Sequence, residues 1–137
     1  MKDRVSIELK DGVADVRLIR ADKMNALDEA MFDGLVEAGD KLMNMKGLRA
    51  VVLSGEGRAF CAGLDMGRFE AMKTQGAALQ GTRDLRARSH GPANKPQWAA
   101  WVWRELPVPV IAAVHGVALG GGFQLALGAD MRYATPD

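Results

Sequence analysis

One stretch near the end of the sequence, residues 107–130, constrains the fold more than any other. It reads as an apolar strand (108–114), a turn (115–116), three consecutive glycines and a short apolar helix (123–127) that stops at Gly128. An apolar run bounded by proline and glycine is typical of a fully buried strand. Glycines at the head of a helix let another molecule approach N–H groups that lack an acceptor inside the helix. Because the helix dipole also favours negative charge there, the stretch is predicted to hold an anion or an oxyanion.

The composition narrows the class of protein. A chain of 137 residues is long enough for one domain, and 48% hydrophobic and 26% charged residues are ordinary for a soluble globular protein. The net charge of +1 argues against binding to nucleic acid. No apolar run approaches the ~20 residues of a membrane span, and the first residues lack the apolar core of a signal peptide. A single cysteine, Cys61, favours a reducing compartment. We therefore expect a cytoplasmic protein that binds neither nucleic acid nor membrane.

The N-terminal part of the sequence predicts a β-hairpin. Two runs that alternate apolar and polar residues, 5–10 and 13–19, flank an Asp-Gly pair at 11–12. That pair is a strong signal for a two-residue hairpin turn. Residues 21–26 are then predicted to form a loop.

A β-α-β unit is predicted to follow. Asp28 is a suitable N-cap for a helix over 29–45, whose apolar residues recur at spacings of three and four. Gly47 is expected to end that helix. A strand over 48–54 would then pair in parallel with the second hairpin strand through a right-handed crossover.

The rest of the chain continues the α/β pattern, and the fold class is therefore α/β with a mostly parallel sheet flanked by helices. Before residues 107–130, the sequence predicts a glycine-rich loop (54–63), a helix (64–72), a polar irregular segment (73–96) and a short helix (97–106). After them it predicts a last strand (131–135). The irregular segment carries Arg83, Arg86 and Arg88, which we interpret first as a solvated face. A parallel sheet needs helices on both faces, and none follows the last strand, so we expect the C-terminal part of the domain to be absent from this chain.

Two glycine-containing turns, 59–65 and 118–124, each follow an apolar strand and each open a helix. In a parallel sheet such turns lie at the same carboxyl edge, where ligands bind. Two backbone N–H groups that converge there would form an oxyanion hole, in which one donor is worth about 3–4 kcal/mol in a hydrolase.

Three segments carry a resemblance to a known family. ADKMNALD (21–28), GRAFCAGLD (57–65) and AAVHGVALGGGFQLALGADMRYATPD (112–137) are similar in order and spacing to the front half of the enoyl-CoA hydratase/isomerase, or crotonase, superfamily. The resemblance implies that residues 1–137 are the N-terminal part of one domain, a spiral of β-β-α turns. It also implies a coenzyme A thioester as substrate, no separate cofactor or metal, hydration or double-bond isomerisation of an enoyl-CoA in fatty acid metabolism, and a homotrimer or hexamer.

The resemblance also assigns roles to particular residues. The N–H groups of Leu64 and Gly121 would form the oxyanion hole for the thioester carbonyl. Both positions lie at predicted helix starts, which suits the negative charge on an enolate oxygen. The residues expected to contact the substrate or its coenzyme A moiety are Lys23, Ala26, Ala62, Gly63, Leu64, Asp65, Met66, Gly67, Gly120 and Gly121.

Gln124 departs from the family pattern. Hydratases usually have a glutamate at this position, one of two carboxylates that position and deprotonate the attacking water. An amide can orient water or substrate but cannot act as a general base near pH 7. A single acid from the absent half would suffice for an isomerase. The alternative is a non-catalytic acyl-CoA-binding module or an inactive fragment.

Other residues in the motifs have simpler interpretations. The glycine spacing does not fit a dinucleotide fingerprint, and no Lys-Ser/Thr pair follows for a P-loop. His115 is expected to be a turn or core histidine, and Cys61 a small packed residue. Asp65 falls in the first turn of a predicted helix, where a carboxylate stabilises without catalysis. The tryptophans at 98, 101 and 103 are expected to pack against the sheet, with a pocket-lining role open for the first two.

Overall fold

The computed structural model describes residues 1, 3–67, 70, 86 and 88–136, which form a five-stranded sheet with three helices. The strands are β1 (Val5–Lys10), β2 (Val13–Leu18), β3 (Ala50–Gly55), β4 (Val110–Val114) and β5 (Met131–Ala134). The helices are α1 (Glu29–Met43), α2 (Lys95–Glu105) and α3 (Gly121–Gly128), and Ala21–Lys23 forms one turn of 3₁₀ helix. The predicted α/β class with a mostly parallel sheet is confirmed.

The sheet order follows the chain, β1-β2-β3-β4-β5. β1 and β2 pair antiparallel around the predicted Asp11-Gly12 turn, in which both residues have positive φ, 51° and 84°. This is the backbone that an Asp-Gly hairpin requires. The next three pairs, β2–β3, β3–β4 and β4–β5, are all parallel. The β-α-β unit built from β2, α1 and β3 is therefore confirmed.

The hydrophobic core lies between one face of the sheet and the helices. Ala14, Val16 and Leu18 on β2 point into it, as do Val51 and Leu53 on β3. Alternate residues on each strand therefore face the core, as the pleat requires.

Strand β4 is less buried than its sequence indicates. On β4 only Val110 and Ala112 are fully buried, whereas Ile111, Ala113 and Val114 are partly exposed. The helices pack on the Val110 side, so the alternate residues face away from them. The prediction of a fully buried strand is wrong for this reason.

Helix α1 begins as predicted and ends early. The Asp28 carboxylate accepts a hydrogen bond from the Met31 N–H at 2.8 Å, which makes it the N-cap. The helix ends at Met43, and Asn44 rather than Gly47 is its C-cap. Met45 lies beyond the last turn but still packs against the core. The apolar spacing therefore overestimated the helix length by two residues.

Helices α2 and α3 each begin two residues before their predicted starts. At α2, Asn94 and Gln97 form a capping box, since each side chain bonds the backbone of the other, and Pro96 lies in the first turn. Helix α3 begins at Gly121. Within the predicted helix over 64–72, residues 66, 67 and 70 are helical, so the helix begins at Met66 and not at Leu64, while residues 68, 69, 71 and 72 lie outside the described residues. Most of the predicted irregular segment over 73–96, including Arg83, also lies outside the described residues. Among the helices described here, none is long and apolar enough to cross a membrane.

Candidate functional site

The loop that follows β3 lies between two other segments at the carboxyl edge of the sheet. On one side, Ala62 N–H donates to the Met24 carbonyl at 2.9 Å, and Leu27 N–H donates to the Gly63 carbonyl at 2.7 Å. Leu27 and Leu64 complete this seam as a parallel bridge. The loop therefore continues the sheet beyond the end of β3 and connects it to the segment that precedes α1.

The same loop pairs on its other side with the segment that leads into α3. Cys61 N–H donates to the Val117 carbonyl at 3.1 Å, and Leu119 N–H donates back to the Cys61 carbonyl at 3.0 Å. Phe60 N–H donates to the His115 carbonyl at 2.8 Å. The two glycine-containing turns predicted to meet at one edge are thus joined by backbone hydrogen bonds.

The closest approach of the two turns requires a glycine. Gly63 has φ of +85°, a conformation that residues with a Cβ rarely adopt. A methyl group at this position would lie 2.5 Å from the Leu119 carbonyl oxygen and 3.7 Å from the Gly121 nitrogen. The backbone around Leu64 is therefore held directly against the start of α3.

The predicted oxyanion donors have no acceptor within the described part of the chain. Neither the Leu64 N–H nor the Gly121 N–H donates to any described group. Leu27 lies between them, since its backbone bridges Leu64 and its Cδ1 would be 2.6 Å from a Cβ added at Gly121. The arrangement supplies two adjacent backbone donors at the edge where β3 and β4 end.

Helix α3 is also pressed against this loop at the next glycine. A Cβ at Gly122 would meet the Cys61 carbonyl oxygen and would lie 2.7 Å from Cys61 Cβ and 2.8 Å from its Sγ. Because these neighbours are backbone and the base of a buried side chain, they cannot yield without a shift of the helix. Gly122 therefore fixes the distance between α3 and the loop.

Asn25, which the sequence analysis does not single out, holds the loop after β3 through its side-chain hydrogen bonds. Its side chain is fully buried, and its Nδ2 donates to the carbonyl oxygens of Glu56 and Ala59 at 2.9 Å and of Phe60 at 3.2 Å. Its Oδ1 accepts from the Arg20 N–H at 2.9 Å. Asn25 has φ of 55°, a left-handed conformation in which asparagine is favoured. One amide thus joins the 20–27 loop to the loop after β3.

Four charged groups of the site form a partly buried chain of ion pairs. Arg20 Nη1 donates to Asp65 Oδ2 at 2.7 Å and lies 3.4 Å from Asp28 Oδ2, which also pairs with Arg4 at 2.9 Å. Asp65 Oδ1 in turn accepts from the Gly67 N–H at 2.9 Å. These contacts give Asp65 the structural role expected of it.

The environment of Asp28 favours its charged form. Burial alone raises the pKa of this carboxyl group, but the hydrogen bonds from Arg4 and the Met31 N–H, with the charges of Arg20 and Arg4, outweigh it. The pKa of Asp28 is therefore below its ordinary value.

A cavity of about 100 Å³ lies next to these donors, between the three helices. Its wall includes Leu35 on α1, Ala99 and Ala100 on α2 and Leu125 on α3, with Gly121 and Gln124 also lining it. Leu35, Ala99 and Leu125 are almost completely buried, whereas Gln124 is exposed. The cavity therefore has an apolar interior and one polar side chain, that of Gln124, at its exposed edge.

The residues predicted to contact coenzyme A follow the same seam. Lys23 is exposed on the 3₁₀ turn, and Ala26 is buried beside it. Gly63 is buried, whereas Met66 is 75% exposed. The partly exposed members of the strip are Ala62, Leu64, Asp65 and Gly121, and the exposed ones are Gly67 and Gly120. The structure thus brings the predicted residues together along one edge.

The side chains of Cys61 and His115 both make hydrogen bonds that hold loops together. The Cys61 thiol is buried and donates to the Asn25 carbonyl at 3.1 Å, and burial raises its pKa to about 11. This agrees with a packed cysteine rather than a nucleophile. His115 Nε2 lies 2.8 Å from the Gly57 carbonyl and so joins the same two loops, as a turn histidine would.

The three tryptophans have different surroundings. Trp103 is fully buried, as expected, and its indole N–H donates to the Ala99 carbonyl at 2.9 Å. Trp98 stacks on His90 with ring centroids 6.3 Å apart, and Trp101 is 46% exposed. Neither of these two lines the cavity between the described helices.

In the described part of the chain, no group of three or more His, Cys, Asp or Glu side chains is arranged to hold a metal ion.

Comparison with known proteins identifies the family. The family model for enoyl-CoA hydratase/isomerase matches residues 8–137. This chain belongs to the enoyl-CoA hydratase/isomerase family.

Other members of this family resemble the chain in sequence and in fold. A mitochondrial Delta(3,5)-Delta(2,4)-dienoyl-CoA isomerase from Mus musculus is 36% identical over 129 residues, covering 91% of this chain and 38% of the relative. An (E)-benzylidenesuccinyl-CoA hydratase from Thauera aromatica is 33% identical over 132 residues, covering 96% of this chain and 46% of that relative. The crystal structure of an enoyl-CoA hydratase/isomerase from Xanthobacter autotrophicus Py2 matches with a TM-score of 0.79 at 32% identity, covering 96% of this chain and 45% of that one. The fold is therefore crotonase-like, and the chain spans less than half the length of these relatives.

Proposed function

We propose that this chain is the part of an acyl-CoA-processing enzyme that binds the thioester and stabilises its enolate during hydration or double-bond isomerisation of an enoyl-CoA. The observation that carries the proposal is the pair of N–H groups, Leu64 and Gly121, that have no acceptor in the described structure and lie where two turns meet. Membership of the hydratase/isomerase family supports the same chemistry.

The physical basis of the proposal is the position of the negative charge. When a proton leaves the carbon next to a thioester, or when water adds to a conjugated double bond, charge develops on the carbonyl oxygen. Two fixed N–H donors stabilise that oxygen more strongly in the transition state than in the ground state. Gly121 adds the positive end of α3 to the hydrogen bond.

The other predicted roles complete the proposal. Gln124, on the rim of the cavity, would orient water or the acyl group, and the strip from Ala62 to Gly67 with Lys23 would follow the coenzyme A moiety. The acid that moves the proton would lie outside the chain. The enzyme would be a cytoplasmic homotrimer or hexamer that needs no cofactor beyond the coenzyme A of its substrate.

The test compares two ligands that differ only in the thioester carbonyl. Butanoyl-CoA and its thioether analogue, in which CH₂ replaces the carbonyl group, are titrated against the chain by calorimetry. The ratio of their dissociation constants isolates the contact with the carbonyl oxygen. If the two N–H groups form an oxyanion hole, the thioester binds more tightly, and its addition shifts the Leu64 and Gly121 amide resonances.

Gly121→Pro removes one donor and also adds a side chain against the Leu27 Cδ1 methyl group. Gly121 is the first residue of α3, where proline is tolerated, and its N–H has no acceptor to lose among the described residues. Gly121→Ala is the matched control, because it adds a Cβ against Leu27 but keeps the N–H. The proline variant should lower the ratio about three- to tenfold, the value of one neutral hydrogen bond. An equal ratio in the two variants would refute the role of Gly121.

Gln124 favours a second candidate function, an acyl-CoA-binding module without catalysis. The residues that line the cavity include no carboxyl group or imidazole, so the described site offers no general base beside the carbonyl position. Gln124→Glu separates the candidates. A gain of hydration of a 2-enoyl-CoA, followed by loss of the conjugated absorbance, would support a competent enzyme scaffold. No gain, with acyl-CoA binding intact, would support the binding module or an isomerase that uses an acid elsewhere.

A further inference from the structure

The cavity between the three helices is small, and its buried interior is lined mainly by helix side chains, with Leu27 from the loop before α1. Its volume is about 100 Å³, and its interior residues Leu35, Ala99 and Leu125 are at most 2% exposed. These residues come from three different helices, and each belongs to the hydrophobic core. The depth of the cavity is therefore set by the packed scaffold.

The position of the cavity relates it to the proposed site. Gly121 both lines the cavity and carries one of the two N–H donors without an acceptor in the described structure. Gln124, one turn later on α3, is the exposed residue on its rim. A thioester held by the Gly121 N–H would thus have its acyl tail beside the opening of an apolar cavity.

The volume gives the size of the tail. An apolar cavity of about 150 Å³ binds benzene, which corresponds to about 25 Å³ for each carbon atom. At the same packing, a volume of about 100 Å³ accommodates about four carbon atoms. A tail of four carbons attached to the carbonyl carbon is a five-carbon acyl group.

We propose that this cavity binds the acyl tail, that it selects short acyl groups with a tail of about four carbons, and that Ala100 on α2 sets this limit. The inference rests on the proposed function, because it takes the position of the carbonyl from the Gly121 donor. Ala100 is the determinant because its small, half-buried side chain leaves room that a larger residue on the same helix would fill.

The first experiment measures the dissociation constants of acetyl-, butanoyl-, hexanoyl-, octanoyl- and decanoyl-CoA by calorimetry. Each buried CH₂ should tighten binding about fourfold, which corresponds to about 0.8 kcal/mol. Butanoyl-CoA should therefore bind about sixteenfold more tightly than acetyl-CoA, and the gain should stop near hexanoyl-CoA. Affinity that keeps rising through decanoyl-CoA, or that does not change from acetyl-CoA onwards, would overturn the proposal.

Ala100→Leu tests the determinant. The variant adds three carbons, or about 75 Å³ at the packing used above, and leaves room for about one tail carbon. The sixteenfold preference for butanoyl- over acetyl-CoA should disappear. Trp101→Leu is the matched control, since it places the same residue one position along α2 at a 46% exposed site that does not line the cavity. The control should keep the preference, and a preference retained by Ala100→Leu would refute the assignment.

The outcomes separate this inference from the function on which it rests. If the thioester binds more tightly than its thioether analogue but tail length has no effect, the oxyanion proposal stands and the cavity proposal fails. If no acyl-CoA binds, both fail. Should Ala100→Leu not fold, the length series with the unchanged chain still decides the cavity proposal on its own.

Discussion

Replacing Asn25 by alanine tests whether one buried amide holds the loops of the candidate site together. The side chain makes four hydrogen bonds, three from Nδ2 to the carbonyls of Glu56, Ala59 and Phe60 and one from the Arg20 N–H to Oδ1. Since Nδ2 carries only two hydrogens, two of its three acceptors share one. The substitution therefore leaves at least two buried carbonyls and one partly buried N–H without their partner.

The magnitude follows from the burial of these groups. A buried polar group that loses its partner costs about 1–3 kcal/mol, and the Ala59 and Phe60 bonds are the two that lie fully inside. The Glu56 and Arg20 groups lie nearer to water and add less. We expect about 2–4 kcal/mol from the lost amide. Alanine in the left-handed conformation at φ 55° costs about 1 kcal/mol more. The total of about 3–5 kcal/mol is a large part of the stability of a typical domain.

Urea unfolding followed by circular dichroism measures this change. Asn25→Gly separates the two contributions, because glycine loses the amide but adopts positive φ freely, and it should be about 1 kcal/mol more stable than Asn25→Ala. Asn44→Ala is the control, since the Asn44 amide makes one exposed bond to the Asp40 carbonyl and should change stability by less than about 1 kcal/mol. A loss below about 1 kcal/mol in Asn25→Ala would refute the reasoning.

Two further predictions concern titratable groups. Because the folded pKa of Asp28 is below its ordinary value of 3.8, its stabilising contribution is present above that pH and is lost as the pH falls through the folded pKa. Asp28→Asn keeps an N-cap acceptor but loses the charge. The variant should therefore be less stable than the unchanged chain at pH 7, and its free energy of unfolding, measured in urea, should fall less between about pH 5 and 3. Curves of stability against pH that run parallel for the two proteins would contradict this prediction. The Cys61 thiol, fully buried with its pKa raised to about 11, should react with iodoacetamide at pH 8 at least about 100-fold more slowly in the folded chain than in urea, and equal rates would contradict its burial.

Local sequence patterns predicted the elements that local physics determines. The Asp11-Gly12 turn has the two positive φ angles that the pair favours, and Asp28 is the N-cap. Errors occurred at helix ends, where competing interactions are local but weak. Helix α1 stops at Met43 because Asn44 caps it before Gly47 is reached. Helix α2 starts early because the Asn94 and Gln97 side chains form a capping box, a signal that was present in the sequence.

The meeting of the two glycine-containing turns followed from the parallel sheet, but other contacts between distant segments could not be predicted from the sequence. Asn25 lies in a polar loop, and only the fold places its amide against the carbonyls of residues 56–60. The cavity is built from Leu35, Ala99 and Leu125, which are far apart in the sequence and look like ordinary core residues. The exposed half of β4 has the same cause, because which face of a strand is covered depends on where the helices pack.

The candidate oxyanion donors are backbone groups, and this explains why glycines carry the sequence signal. Any residue with an N–H at position 64 would supply the donor, so the side chain of Leu64 contains little information about it. The position of that N–H depends instead on Gly63, whose Cα lies against the Leu119 carbonyl, and on Gly122, which lets α3 contact Cys61. A substitution at either glycine displaces the donor without removing it, whereas Gly121→Pro removes a donor and requires a shift only of the Leu27 Cδ1 methyl group. Variants of the two kinds should therefore differ in stability even where they weaken thioester recognition equally.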